Sequence, residues 1–143
     1  MTPADIDLAR RLAAVPGIWR TGMADTMGRR VLAARDGMCL CAWYEGPSGA
    51  EQPRMGWVRF EQMAPPDLND GPTRGALLDV AREMWDDPGL FCRPGDGGWC
   101  VVNSNLRIIA RGPTEGAAIA AAILAAPAVT VTTTPPPAPS AAS

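Results

Sequence analysis

The middle of the chain is its most strongly patterned stretch, and it constrains the fold more than any other segment. Residues 65–73 read PPDLNDGPT, and a helix is predicted over Arg74–Trp85. Asp70 can cap the free amides at the helix start, and Pro72 fits the first turn, where a missing N–H costs nothing. Steps of three and four residues place the apolar side chains on one face, namely Leu77, Val80, Ala81 and Met84. Such a helix must pack on a sheet or on other helices, which the rest of the chain should supply.

A β-hairpin is predicted before this helix, over residues 29–44. Its centre, Asp36-Gly37, is a favoured two-residue turn sequence flanked by strand-like residues. That turn predicts three cross-strand pairs, which are Ala34–Cys39, Leu32–Cys41 and Arg30–Trp43. Both faces of the hairpin are largely apolar, which predicts that the hairpin is central in its sheet or is covered on both sides.

The remaining segments complete an α+β pattern. The predicted elements are a helix over 3–15 capped by Thr2, a loop over 45–55, strands over 56–61, 90–93, 99–102 and 106–110, and a last helix starting near Thr114. The order is therefore α-β-β-β-α-β-β-β-α, an antiparallel sheet built from two hairpin or meander units and packed with about three helices. Residues 1–127 form a single domain in this scheme. Residues 128–143, rich in Pro, Ala, Ser and Thr, are predicted to be a disordered tail.

Composition excludes several classes of chemistry. The chain has 143 residues and no His, which removes His-based acid–base catalysis, Ser-His and Cys-His pairs, and His metal ligands. The net charge of −2 gives no bulk electrostatic case for nucleic-acid binding. No apolar run has the length needed to span a membrane, and two acids precede the first Arg, unlike a signal peptide. The cytoplasm is the expected compartment.

The four cysteines allow three interpretations, of which core packing is favoured over a disulfide and over zinc. They are Cys39, Cys41, Cys92 and Cys100. Their C-x-C and C-x7-C spacings differ from the C-x(2–4)-C pairs usual in structural zinc sites. A hairpin centred on Asp96 would place Cys92 opposite Cys100, whereas a two-residue Asp96-Gly97 turn would place Arg93 there and separate the sulfurs. A cysteine nucleophile is poorly supported, because no imidazole is present to form the thiolate.

Acidic and glycine-rich segments favour structural roles over catalysis. The acids flanking the central helix, Asp67, Asp70, Asp86 and Asp87, are interpreted as caps and solvated helix ends, and no two are held at a catalytic distance. Gly95-Asp96-Gly97-Gly98 lacks the context of a phosphate-binding loop and is interpreted as a hairpin turn. We therefore predict no catalytic residues, no metal and no cofactor.

Arginine and tryptophan residues are the best candidates for binding. Residues 1–60 carry eight Arg against six acids, a net charge of +2, whereas residues 61–143 carry five against nine, or −4. Arg beside Trp can be cation–π packing within the fold or a stacking platform for single-stranded nucleic acid, and internal packing is the favoured interpretation. The candidate binding residues are Arg29, Arg30, Trp57 and Arg59.

The order of segments resembles a loose group of small, uncharacterised phage and prophage proteins from GC-rich bacteria. The segments are PGIWRTGM, RRVL, PPDLNDGPTRGALLDVAREMW, GWCVV and GPTEGAAIAAAILAAP, within residues 15–127. In that group a Pro-Asp-Leu segment leads into an LLxxxREMW-type helix. The resemblance implies a phage-encoded accessory protein in a bacterial cytoplasm, and it carries no catalytic residues.

The leading hypothesis is a non-enzymatic accessory protein that binds a host or phage protein, for example to inhibit host machinery or defence. One alternative is a nucleic-acid-binding protein that uses the Arg/Trp-rich first half, which would show salt-sensitive binding. A second alternative is a virion or assembly component, for which the Pro-rich tail is the hint. No membrane partner is expected, and the sequence favours no particular oligomeric state.

Overall fold

Three helices alternate with two sets of three strands in the computed structural model, which describes residues 1–45 and 52–127. The elements are α1 (Pro3–Ala13), β1 (Arg30–Arg35), β2 (Met38–Glu45), β3 (Gln52–Arg59), a short 3-10 helix (Phe60–Gln62), α2 (Gly71–Met84), β4 (Phe91–Gly95), β5 (Gly98–Val102), β6 (Ile108–Gly112) and α3 (Glu115–Leu124). The predicted α+β class and element order are confirmed. The predicted disordered tail, residues 128–143, lies outside the described residues.

Each helix begins at a residue whose side chain caps it, as the sequence indicated. Thr2 Oγ1 accepts from the Asp5 amide, and the Thr114 hydroxyl accepts from the Ala117 amide. At α2, Asp70 Oδ2 accepts from the Thr73 amide at 3.1 Å. These bonds satisfy amides that have no partner within their own helix. The helix starts are therefore fixed by local chemistry.

The strands form two separate three-stranded antiparallel sheets, with orders β1-β2-β3 and β4-β5-β6. Asp36 and Gly37, and likewise Asp96 and Gly97, have positive φ angles, as two-residue hairpin turns of the I′ type require. In the second hairpin Arg93 lies opposite Cys100. The two-residue alternative for this turn is therefore confirmed.

A β-bulge in β1 changes the register that the sequence predicted. Ala34 pairs with Cys39 as expected, but the register shifts between Val31 and Ala33. Val31 therefore pairs with Cys41 and Arg30 with Ala42, so the predicted pairs Leu32–Cys41 and Arg30–Trp43 are wrong. The extra residue moves Val31 to the buried face and leaves Leu32 exposed.

Several boundaries also differ from the prediction: α1 ends at Ala13 instead of residue 15, α2 begins at Gly71 instead of Arg74, and two strands begin elsewhere. β3 begins at Gln52, where it pairs with Glu45, so the predicted loop is wrong for residues 52–55; residues 46–51 lie outside the described part of the chain. β6 spans Ile108–Gly112 instead of 106–110, because Asn103 Oδ1 accepts from two following amides and holds a turn through Leu106. Both strand errors arise where ladder pairing or a side-chain turn overrides local composition.

Helix α3 is the most deeply buried element. Seven of its ten residues are buried, although a narrow apolar stripe was expected. The helix packs on the second sheet and against α1 and α2. Glycines permit the closest approaches: a Cβ at Gly112 would lie 2.5 Å from the Ala118 amide nitrogen, and one at Gly116 would lie 2.4 Å from the Leu68 carbonyl oxygen. Small residues therefore let backbone pack against backbone here.

The first sheet buries one face in the common core. Val31, Cys39, Cys41 and Val58 point inward, and they join residues of all three helices in one apolar cluster. β2 is the central strand of this sheet, as one of the two alternatives predicted. Within the described residues the opposite face is half-buried to exposed, so the other alternative, a hairpin covered on both sides, is wrong for them. Separately, none of the helices in these residues combines the length and the apolar character needed to cross a bilayer.

Candidate functional site

Arg30, a predicted binding residue, forms an internal fork with the cap of α2. Its Nη1 and Nη2 atoms lie 2.6 and 3.0 Å from the two carboxylate oxygens of Asp70, and Nη1 also donates to the Gly22 carbonyl. Asp70 in turn accepts from the amide and the hydroxyl of Thr73. The hydrogen bonds from Arg30, followed by those from Thr73, lower the pKa of Asp70 to about 2. The guanidinium therefore ties β1 to the start of α2.

Arg29, the second predicted binding residue, also faces a carboxylate. Its Nε lies 3.1 Å from Oδ2 of Asp25, whose side chain is fully buried. Asp25 further accepts from the amides of Met27, Arg29 and Ala64, so it joins the segment before β1 to the segment after β3. A buried carboxylate is stable only when paired and hydrogen-bonded in this way. The sequence analysis did not single out Asp25; its contacts with Met27 and Arg29 are local, whereas its contact with Ala64 spans 39 positions.

The other two predicted binding residues lie on the exposed side of the first sheet, which we call the outer face. Successive side chains of a strand point to opposite faces of the sheet, so every second side chain lies on the outer face. These side chains form rows across the strands. The rows are Arg35–Met38–Arg59, Ala33–Leu40–Trp57, Arg30–Ala42–Met55 and Tyr44–Pro53, and the guanidinium of Arg30 is bound by Asp70. Three large members are well exposed, Tyr44 at 72%, Met55 at 65% and Trp57 at 43%. The outer face is therefore a continuous surface of mostly apolar side chains.

Basic charge is concentrated at one end of the outer face. The guanidinium carbon of Arg35 lies 5.1 Å from the centre of the Trp57 ring, a cation–π contact that orders both side chains. Arg59 lies beside them across Met38, and among the described residues it makes no ion pair. The structure thus brings Trp57 and Arg59 together on one surface, whereas Arg29 and Arg30 are engaged by carboxylates.

Sequence reasoning missed several members of this surface. Pro53 and Met55 lie in the predicted loop over 45–55, and Arg35 is not among the predicted binding residues. The alternation of Pro53, Met55 and Trp57 with Arg54, Gly56 and Val58 was a weak signal of a longer third strand. The β-bulge, which decides the buried face of β1, left no signal in the sequence.

A cleft between α1 and the segment before α2 has a volume of about 500 Å³. Its lining mixes apolar and polar side chains and includes Ile6, Arg10, Thr26, Pro65, Asp67 and Asn69. Asp67 accepts from the Asn69 amide in a local turn, which explains its position without a ligand.

The acids and cysteines occupy structural positions in the described residues. Asp87 accepts from Ser104 and from the Gly89 amide, and these bonds lower its pKa. All four cysteines are free thiols, and burial raises the pKa of Cys39 to about 12 and that of Cys92 to about 11. Such thiols stay protonated at neutral pH, when they are poor nucleophiles. Within residues 1–45 and 52–127, no three Cys, Asp or Glu side chains gather as metal ligands would.

Comparisons with known proteins add no relative: no protein-family model matches the chain, and no curated protein or solved structure matches it significantly. The outer face therefore has to be interpreted from its own chemistry.

Proposed function

We propose that this chain is a non-enzymatic accessory protein that binds another protein, a host or phage protein in a bacterial cytoplasm, through the outer face. The observation that carries the proposal is the exposure of Tyr44, Met55 and Trp57 side by side on a regular sheet. Contiguous exposed apolar surface is uncommon on monomeric proteins and is typical of interaction sites. The aromatic and Met side chains are of the kinds enriched in protein interfaces.

The charges on this face define the chemistry of the partner. Arg35 and Arg59 flank Met38 at one end, and the rest of the face carries no acidic side chain in the rows described. A complementary surface would present apolar side chains opposite Leu40, Met55 and Trp57 and a carboxylate opposite Arg59. We therefore expect the partner to present an apolar surface with an acidic border. If the partner is a host enzyme or defence protein, binding at this surface could inhibit it.

Nucleic acid fits this surface less well. Stacking platforms for single strands combine aromatic rings with basic groups that follow the phosphate backbone. Here one side of the Trp57 ring is covered by Arg35, and its other neighbours on the face are Leu40, Met55 and Arg59, so one further arginine lies beside the ring. Two of the four candidate basic and aromatic residues, Arg29 and Arg30, already face carboxylates. The protein-binding proposal accounts for more of the surface.

The test compares two matched variants in a capture experiment with bacterial lysate. Trp57→Thr and Ile108→Thr both place a β-branched residue in a strand, at sites that are 43% and 39% exposed on different sheets. We expect the wild type and Ile108→Thr to retain the same partner, and Trp57→Thr to retain it at least about tenfold less, as for an aromatic hot spot worth about 1.4 kcal/mol or more.

Two results would contradict the proposal. One is equal retention of the partner by Trp57→Thr and Ile108→Thr, with both variants folded by circular dichroism. The other is retention that disappears on nuclease treatment and falls steeply with salt, which would support the nucleic-acid alternative.

A further inference from the structure

The outer edge of β3 is distinct from the outer face and carries unused main-chain groups. β3 is the last strand of its sheet. The edge of β1 is different, because Gly22 and Met23 already pair with both main-chain groups of Val31. A long unpaired edge is a template for another strand, and proteins usually protect it.

The direction of each β3 amide follows from the ladder. The Phe60 amide donates to the Gly37 carbonyl at 2.9 Å, which fixes a hydrogen-bonded pair at these positions. In an antiparallel ladder such pairs alternate, so Val58, Gly56 and Arg54 bond to β2. The main-chain groups of Met55 and Trp57 must then point away from the sheet.

Both ends of this edge are protected, which confines the free part to its middle. Pro53 has the same orientation as Met55 and has no N–H to donate. The Arg59 amide donates to Oε1 of Gln62 at 3.4 Å. Within the described residues, the amides of Met55 and Trp57 are the two in this stretch without a hydrogen-bond partner.

We propose that β3 pairs antiparallel with β3 of a second copy of this chain, about a two-fold axis at Gly56. A pairing centred there places Met55 opposite Trp57 of the other copy, and Trp57 opposite its Met55. Each of these two pairs exchanges two main-chain hydrogen bonds, so the N–H and C=O groups of Met55 and Trp57 are all used. The edge is therefore complementary to itself.

The side chains agree with this register. On the outer face it brings each Met55 beside a Trp57 ring, a favourable sulfur–aromatic combination. Arg54 comes opposite Val58 and Arg59 opposite Pro53, so no arginine lies directly opposite another. On the inner side Gly56 meets itself. The resulting six-stranded sheet has one continuous outer face. This face is twice the surface that is proposed to bind the partner protein, but the dimer proposal does not depend on the proposed function.

The experiment measures self-association by sedimentation velocity from about 5 to about 500 µM, the range suited to a small interface. We expect the wild type to shift from monomer to dimer over this range. Met55→Pro removes the outward N–H in both copies without breaking a bond to β2. Met55→Thr keeps the N–H and loses only the side-chain pair, which occurs twice in the dimer, so dimerisation should weaken by about twofold to thirtyfold. Met55→Pro also loses two main-chain hydrogen bonds, so it should weaken dimerisation at least about tenfold more than Met55→Thr does.

Amide exchange provides a readout that needs no variant. We expect the amides of Met55 and Trp57 to exchange more slowly at high protein concentration than at low concentration, whereas the amide of Ile108 should not change. A monomer at every concentration overturns the proposal, as does a dimer that Met55→Pro leaves intact. If Met55→Pro does not fold, unchanged exchange at Met55 and Trp57 overturns it. If the protein stays monomeric and still captures the partner, the dimer proposal is contradicted and the proposed function is supported.

Discussion

Replacing Thr73 with Val tests the hydrogen-bond network of Thr73, Asp70 and Arg30, in which Arg30 is occupied by Asp70 and is therefore not available to a binding partner. Thr73 is fully buried, and its hydroxyl accepts from the Ala24 amide at 2.8 Å and donates to Asp70 Oδ2 at 2.7 Å. Val has nearly the same shape but no hydroxyl. The Ala24 amide would then be buried without a partner, at a cost of about 1–3 kcal/mol, and Asp70 would lose a hydrogen bond to its charged carboxylate, worth about 1.5–3 kcal/mol. We expect a total loss of at least about 3 kcal/mol in the free energy of unfolding.

Thr73→Ser is the matched control, because it keeps the hydroxyl and removes only one buried methyl group. Loss of that methyl should cost about 1 kcal/mol. In a chain of this size a change of 1 kcal/mol moves the melting temperature by about 4 °C, so Val should lower it by at least about 12 °C and Ser by about 4 °C. Urea unfolding should show the same order in midpoint with an unchanged slope.

The reasoning would be refuted if Thr73→Val were as stable as Thr73→Ser or more stable. That result would mean that shape, and not the hydroxyl, determines this site. Arg30 and Asp70 would then be held by each other alone, and the link from the α2 cap to the segment before β1 would carry no measurable energy.

Two further predictions concern the same region of the fold. Hydrogen bonds from Arg30 are the main reason why the pKa of Asp70 is lowered from 3.8 to about 2, so the ionised carboxylate stabilises the fold above pH 4. That contribution, about 2 kcal/mol, is lost as the pH falls from 4 to 2. In acid unfolding followed by fluorescence, Asp70→Asn should lose stability less steeply than the wild type over this interval, and parallel curves would contradict the prediction. Gly116→Ala should destabilise the protein by about 1–3 kcal/mol, since the new Cβ meets the Leu68 carbonyl. A Cβ at Gly75 has no atom within 4 Å, so Gly75→Ala should stabilise the protein by up to about 1 kcal/mol in the same urea assay. Equal effects of the two substitutions would exclude close packing at α3.

Features set by near neighbours were predictable from the sequence. The caps at Thr2, Asp70 and Thr114 each bind an amide three residues away, so the pattern and the contact lie in the same window. The two Asp-Gly turns are equally local, because the φ angles that they need favour these residue types. The order of helices and strands follows from these caps and turns together with the hydrophobic periodicity.

Features set by distant contacts were not predictable. The bulge in β1 is decided by how Val31 fits the core, and the segment from Gln52 is a strand because β2 extends to Glu45 beside it. Helix α3 is buried nearly all round because its small residues allow backbone to approach β6, a packing effect that a periodic stripe does not reveal. Composition alone cannot indicate such pairing.

The binding residues show the same division most clearly. The sequence assigned Arg30 to binding and Asp70 to a cap, but these residues, 40 positions apart, form one ion pair. A surplus of arginines in the first half therefore overstates the basic charge available to a phosphate backbone. Trp57 and Arg59 lie instead on a strand whose outer side carries no carboxylate, next to Met38 and Leu40. What remains free is an apolar surface with basic charge at one end, and this geometry favours a protein partner over nucleic acid.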